Sequence, residues 1–217
     1  QTNFWYFESG DYDKEKLRKC ISDILQIDST KLNNLYPRSI MKNLQLDQNW
    51  KIIDLYRKKY NVSLKEGQYI NTEQLLELEK SGVFHIGAHT MNHPILANEN
   101  DEVSEYEIKA SIDELGKLLN RKITTFAYPN GKEGLDFGKR EMNFLKEIDV
   151  KYAFSFEFRN LKKSDNLLSI PRFGLYHGNK DFVRKKLKYG AIWEPIKSKL
   201  FSNEEKYRKN IVKKLNL

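Results

Sequence analysis

An α/β fold with mostly parallel strands is what this sequence predicts. Two observations carry the reading. From about Tyr69 onward, short β-rich runs alternate with amphipathic helical patterns. The spacing between the runs leaves room for a helical crossover, which parallel strands need. Residues 11–60 have helical spacing instead, and they read as a helical insertion or cap in front of the α/β part.

Within residues 11–60, Leu17, Ile21, Ile24 and Leu25 follow the helical period. Trp50, Ile53, Leu55 and Tyr56 follow it more loosely, and Pro37 interrupts between the two stretches. Asn71-Thr72 is a helix start signal; Leu75, Leu76 and Leu78 give a stripe, and Ser81-Gly82 a stop. A strand is expected over residues 83–87, then a loop to Asn98. Residues 101–120 form a strong helix, with Ile108, Ile112, Leu115 and Leu119 on one face and Glu105 paired with Lys109. Residues 123–128 are β-rich and end at the turn Pro129-Asn130-Gly131. Helix follows over 135–148, strand over 150–156 and 167–175, and helix over 181–189. The expected organisation is a helical insertion at 1–68, an α/β core at 69–190 and a basic C-terminal helix or tail at 191–217.

Composition narrows the function classes. The single cysteine, Cys20, excludes an internal disulfide and a cysteine metal site. The longest apolar run is Phe4-Trp5-Tyr6-Phe7, too short to span a membrane. The net charge of +8 is concentrated at one end: residues 181–217 carry 11 Lys+Arg against 4 Asp+Glu, and the rest is nearly neutral. A nucleic-acid-binding fold would carry a basic face on its body, so nucleic acid is not an expected partner. The basic end reads as a solvated Lys-rich helix, with a polyanion or membrane-surface patch as the alternative. No charged n-region followed by an apolar stretch opens the chain, so no signal peptide is expected in it. Cytoplasm and cell envelope both stay open. Oligomeric state is not legible.

Chemistry in an α/β fold sits in loops after the C-terminal ends of strands. Two loops qualify. Gly87-Ala88-His89-Thr90-Met91-Asn92-His93-Pro94 places two of the chain's four histidines four residues apart, directly after an expected strand. Two neutral imidazoles close in sequence can hold one divalent ion. The plainer alternative is two loop histidines making ordinary hydrogen bonds. A zinc metalloprotease helix would need Glu after the first histidine, where Thr90 stands, and Pro94 is poor helix chemistry. The second loop, Phe126-Ala127-Tyr128-Pro129-Asn130-Gly131, follows one strand and one helix later. A tight turn there can aim backbone N–H groups at a developing oxyanion.

Together these residues resemble the NodB-homology polysaccharide deacetylases, carbohydrate esterase family 4, over about residues 69–175. His89-Thr90-Met91-Asn92-His93-Pro94 is similar to that family's motif His-Ser/Thr-x-x-His-Pro. Tyr128-Pro129-Asn130-Gly131 resembles its Tyr-Pro-x-Gly variant of the third motif, and Ser169-Ile170-Pro171-Arg172-Phe173 its late Arg-bearing strand. The resemblance implies a distorted (β/α) barrel and a metal-dependent deacetylation of an acetylated polysaccharide. It implies that His89 and His93 hold a divalent ion, zinc foremost, cobalt or nickel otherwise. It also implies an oxyanion-binding N–H near Asn130, substrate contacts at Tyr128 and Pro129, and catalytic parts for Arg172 and His177. His177, in Leu175-Tyr176-His177, would be the acid for the leaving amine. Arg172 is equally readable as a surface strand residue, and the match around His177 is short.

The family's Asp-Asp strand, source of the base and the third metal ligand, has no counterpart, because no two aspartates are adjacent anywhere in the 217 residues. The expectation is therefore an incomplete barrel whose first strands lie upstream of Gln1, inactive by itself. His85 and Trp193 are expected to be packing residues. The functional reading is a metal-dependent deacetylase acting on N-acetyl, or O-acetyl, groups of a bacterial surface glycan. The alternatives are a glycan-binding member without hydrolysis and a basic surface-binding protein.

Overall fold

The structure is a computed structural model that describes residues 12–62, 69–157, 159–172, 174, 179–200 and 204–217. Two compact units result: Gln1–Leu75 with Glu204–Leu217, and Leu76–Asn203. The sequence reading drew its boundaries after residues 68 and 190.

The first unit is helical. Helix α1 (Lys14–Leu25) starts where Asp13 Oδ1 accepts from Glu15 N at 3.0 Å and Lys16 N at 3.1 Å. It ends at Gln26, in the left-handed region at φ 53°. Helices α2 (Ser29–Leu32) and α3 (Pro37–Met41) follow, then α4 (Leu46–Tyr60). Pro37 is the first residue of α3, where its missing N–H costs nothing, so it opens a helix rather than merely interrupting two. Leu17, Cys20 and Ile21 of α1 and Ile52, Ile53 and Tyr56 of α4 form the core.

Helix α9 (Glu204–Leu215) belongs to this unit. Ile211 and Leu215 are buried in the same core. Arg208, 2% exposed, donates to Lys42 O at 2.7 Å, and Tyr207 OH accepts from Tyr36 N at 3.1 Å. Lys42 pairs with Glu204 at 2.6 Å. Residues 204–215 are thus an integral helix of this unit, with Ile211 and Leu215 four apart on its buried face.

Helix α5 (Thr72–Lys80) leads into the second unit. Gln74 N donates to Asn71 Oδ1 at 2.8 Å, as the start signal requires. Helix α6 (Asp101–Leu119) is capped by Asn100, whose Oδ1 accepts from Val103 N at 2.8 Å. On its expected face Ile108 and Leu119 are buried and Ile112 and Leu115 half-buried, and Lys109 pairs with Asp113 at 2.6 Å rather than with Glu105. Strand β1 (Thr125–Ala127) pairs in parallel with β2 (Tyr152–Phe154), Phe126 opposite Ala153. Single parallel bridges extend the sheet on both sides, Ala88 to Phe126 and Phe154 to Ile170. Helix α7 (Lys139–Glu147) lies between the strands in sequence, and α8 (Lys180–Leu200) follows them.

The expected strand at 83–87 does not form. Only Ala88 enters the ladder, donating to Thr125 O at 3.0 Å and accepting from Ala127 N at 2.9 Å. Ile86 O is taken by the Arg121 side chain at 3.0 Å, and Val83 and Phe84 are exposed. The run over 167–175 likewise reduces to the bridge at Ile170 among the described residues. The α/β class and parallel pairing stand. Among the described residues the sheet is small and open rather than a barrel.

Candidate active site

The two loops of interest leave the same end of the parallel sheet. The Ala88 bridge to Phe126 aligns them, so His89 follows one segment where Ala127 closes the next. Gly87 permits that approach: a Cβ there would lie 2.5 Å from Thr125 Oγ1 and 3.0 Å from Thr125 O. His89 Nδ1 is 2.6 Å from Ala127 O. A carbonyl only accepts, so Nδ1 carries the proton of this bond and Nε2 is the lone-pair nitrogen of the neutral ring.

The His93 ring stands edge-on to the His89 ring, at 4.8 Å between centroids and 76° between planes. Local backbone geometry produces this. Thr90 and His93 have φ of 62° and 59°, in a region that β-branched residues in particular avoid. The Thr90 hydroxyl compensates, donating to His89 O at 2.6 Å and accepting from His93 N at 3.0 Å. One oxygen therefore links the backbones of the two histidines.

Glu107, 1% exposed on α6, holds the loop between them. Oε2 accepts from Met91 N at 3.0 Å and Asn92 N at 2.8 Å, and Oε1 accepts from Asn92 Nδ2 at 2.7 Å. Sequence reasoning gave Glu107 no part in the site. Its signal was an acid on the face of α6 that also carries Ser104, Ile108 and Ser111, all buried. A carboxylate on the inner face of a helix needs donors waiting for it.

The turn after β1 takes its shape from Asn130 at φ 55° and Gly131 at φ 84°. Phe156 N donates to Gly131 O at 2.6 Å, which anchors the turn to the segment after β2. Arg172 ties the same two strand ends, with Nε donating to Ser155 O at 3.1 Å and Nη2 to Tyr128 O at 3.3 Å. Tyr128 is fully buried and Pro129 is buried. The Tyr128 ring stacks on Phe137 at 3.5 Å and its hydroxyl donates to Leu168 O at 2.8 Å. Burial pushes the Tyr128 phenol well above its ordinary pKa, with Glu141 and Glu133 adding to it, so it stays a neutral donor. What Tyr128 offers the site is its backbone and its support of the turn.

His89, His93, the 129–131 turn and Arg172 thus gather at one end of the sheet. His177 lies outside the described residues, as do Leu175 and Tyr176. His85 is exposed, not packed, because the strand that would have buried it is not formed. Trp193 is exposed as well. Two imidazoles meeting at this distance are a donor set that suits a divalent ion. Among the described residues no third His, Cys, Asp or Glu joins them in a metal-holding group.

The model of the family described as polysaccharide deacetylase matches residues 42–154, just over half of the chain. The chain belongs to the polysaccharide deacetylase family. This is the NodB-homology family that the histidine motif resembles. A comparison with curated proteins gives no match. Among solved structures, the chain is similar to the Streptococcus pyogenes deacetylase PplD in complex with acetate. That likeness has 19% identity and a TM-score of 0.49, and covers 77% of this chain and 85% of the other. Polysaccharide deacetylases of Bacillus cereus and Bacillus anthracis are also similar, at 18% and 20% identity and TM-scores of 0.45 and 0.46. These matches cover 79% and 67% of this chain, which spans 40% and 39% of theirs.

Proposed function

We propose that this deacetylase-family chain carries the histidine half of a metal-dependent site hydrolysing N-acetyl groups of a bacterial surface glycan, with O-acetyl groups as the alternative substrate. The observation that supports it is the His89–His93 pair at 4.8 Å between ring centroids, with the His89 tautomer fixed by Ala127. His89 and His93 would hold the divalent ion, zinc first, cobalt or nickel otherwise. When bound, such an ion supplies Lewis acidity and lowers the pKa of water.

The chain's own residues do the positioning. Ala127 O orients His89, as an outer-shell acceptor orients a ligating imidazole. Glu107 and Thr90 hold the loop that carries both rings. The Asn130 turn would aim a backbone N–H at the oxygen on which charge develops. Arg172 keeps the base of that turn in place through Tyr128 O. His177 would protonate the departing amine. The products are acetate and a free amine on the sugar. The attacking water needs a base as well. With no Asp-Asp pair in these residues, we assign the base and the third ligand to aspartates upstream of Gln1.

Zinc titration of the 217-residue chain by calorimetry tests the site directly. One weak site is expected, weakened at least tenfold further by His89→Ala or His93→Ala. Unchanged binding in both variants removes the metal reading. Acetate release from N-acetylated oligosaccharides tests the rest. None is expected from the 217 residues, and release is expected from a form that adds both aspartates. Activity of the shorter chain would locate the base within it. An inactive longer form that still binds the oligosaccharide would favour the glycan-binding alternative.

A further inference from the structure

Helix α8 (Lys180–Leu200) has a pattern unlike the rest of the chain. Phe182, Tyr189, Trp193 and Ile196 recur at i, i+7, i+11 and i+14, which puts all four on one face of a straight helix. Ile192 flanks them. All five are open to solvent, between 44% and 67% exposed. Single exposed apolar side chains need no explanation, but four on one face over about 21 Å of helix do.

Basic residues dominate the rest of the helix sequence, where Leu187 is also exposed. Residues 180–200 carry seven Lys or Arg against Asp181 and Glu194. Lys180, Arg184, Lys185 and Lys188 are exposed. Lys188 Nζ sits 5.2 Å from the Tyr189 ring centroid, a cation lying alongside the stripe. No described helix is long and apolar enough to cross a membrane, so this one would have to lie on a surface.

We propose that α8 binds the surface of an anionic lipid bilayer, with Phe182, Tyr189, Trp193 and Ile196 in the interfacial layer and the basic side chains on the headgroup phosphates. An apolar stripe flanked by Lys and Arg is the pattern of helices that lie in the interface plane. Trp and Tyr suit that layer because their rings are apolar with one polar tip. The cations choose anionic lipid over neutral lipid. A glycan polymer fits less well, since Ile192, Ile196 and Phe182 offer nothing to hydroxyl groups. The proposal is independent of the hydrolytic reading, which concerns the opposite features of the chain: two loops rather than a helix.

Sedimentation of the full chain with vesicles tests it. Vesicles of equal phosphatidylglycerol and phosphatidylcholine should bind at least tenfold more tightly than pure phosphatidylcholine. Raising salt from about 0.1 M to about 1 M should weaken that binding about tenfold or more, since the Debye length falls threefold. Trp193→Ala with Ile196→Ala should weaken it about tenfold at unchanged circular dichroism. Lys185→Glu with Lys188→Glu keeps the stripe and should weaken it as much, which guards against a folding defect in the first pair. Equal binding to both vesicle types, or none to either, overturns the proposal. So does wild-type binding by the Trp193→Ala, Ile196→Ala protein. A dimer that becomes monomeric in that variant and ignores vesicles would assign the stripe to a second copy of the chain.

Discussion

Glu107 grips Asn92 twice, accepting from its backbone N–H at 2.8 Å and from its side-chain amide at 2.7 Å. With the third bond to Met91 N, one buried carboxylate fixes the three-residue link between His89 and His93. Bonds to a charged acceptor are stronger than neutral ones, and the acceptor's burial raises the cost of losing them. The positions of the two histidines therefore depend on a side chain fourteen residues beyond the second.

Glu107→Ala should destabilise the protein by about 2–4 kcal/mol, because it strands two backbone donors. Urea denaturation measures the loss. Glu107→Gln keeps an acceptor oxygen and should lose about half as much. Zinc binding should weaken in step with loop disorder. Wild-type stability and zinc affinity in Glu107→Ala would mean that the loop holds itself.

Gly131→Ala places a side chain at φ 84° with its Cβ 3.0 Å from Phe156 N. The left-handed conformation alone costs roughly 1–2 kcal/mol for an L-residue, and the close backbone atom adds to it. Thermal denaturation should show the drop. Gly87→Ala meets Thr125 at two points and should cost more, since the 83–88 segment must move off β1.

Asp149 accepts hydrogen bonds from Lys122 and Lys151, which hold its carboxyl down at about 2. A depressed carboxylate pKa stabilises the fold above the unfolded value, near 3.9, and that contribution fades as pH falls toward 2. Asp149→Asn should therefore be less stable than wild type at pH 5–7. The gap should close between about pH 4 and pH 2. A gap that persists at pH 2 would point to a cause other than ionisation.

Ile211→Ala should destabilise the helical unit by about 2–4 kcal/mol, the range for truncating a buried aliphatic side chain. Chemical denaturation followed by the helical signal measures it. Lys213→Ala, on an exposed position of the same helix, should stay within about 0.5 kcal/mol of wild type. Equal effects would contradict the packing of α9.

Periodicity was legible where a segment makes its own hydrogen bonds. Helix α6 came out within a residue of its expected ends because its stripe, its Asn100 cap and its Asn120 terminator all agree. Strands were legible only as runs. Residues 123–128 and 150–156 each shrink to three paired residues, and 83–87 to none, because pairing depends on a partner that composition does not name. The metal-ligand candidates were legible because two histidines in a short loop are rare. The parts that hold them were not. Ala127 acts through its carbonyl, which every residue has, and Glu107 acts across α6 from an unremarkable Glu-Ile dipeptide. Helix α9 was legible as a basic helix, but its place in the core was not, because seven charged residues surround the two aliphatics, Ile211 and Leu215, that anchor it.

The Ala127 carbonyl gives the site a place in time during synthesis. A nascent chain has both histidines once residue 93 is made, but the acceptor that sets the His89 tautomer arrives 34 residues later. The carboxylate of Glu107 arrives between the two. At typical synthesis rates of about 5–20 residues per second, that interval lasts some seconds. During it His89 lacks the acceptor that orients its ring. Orientation is imposed only when the ladder forms at Ala88 and Phe126, so the order of translation separates having the two histidines from having them oriented.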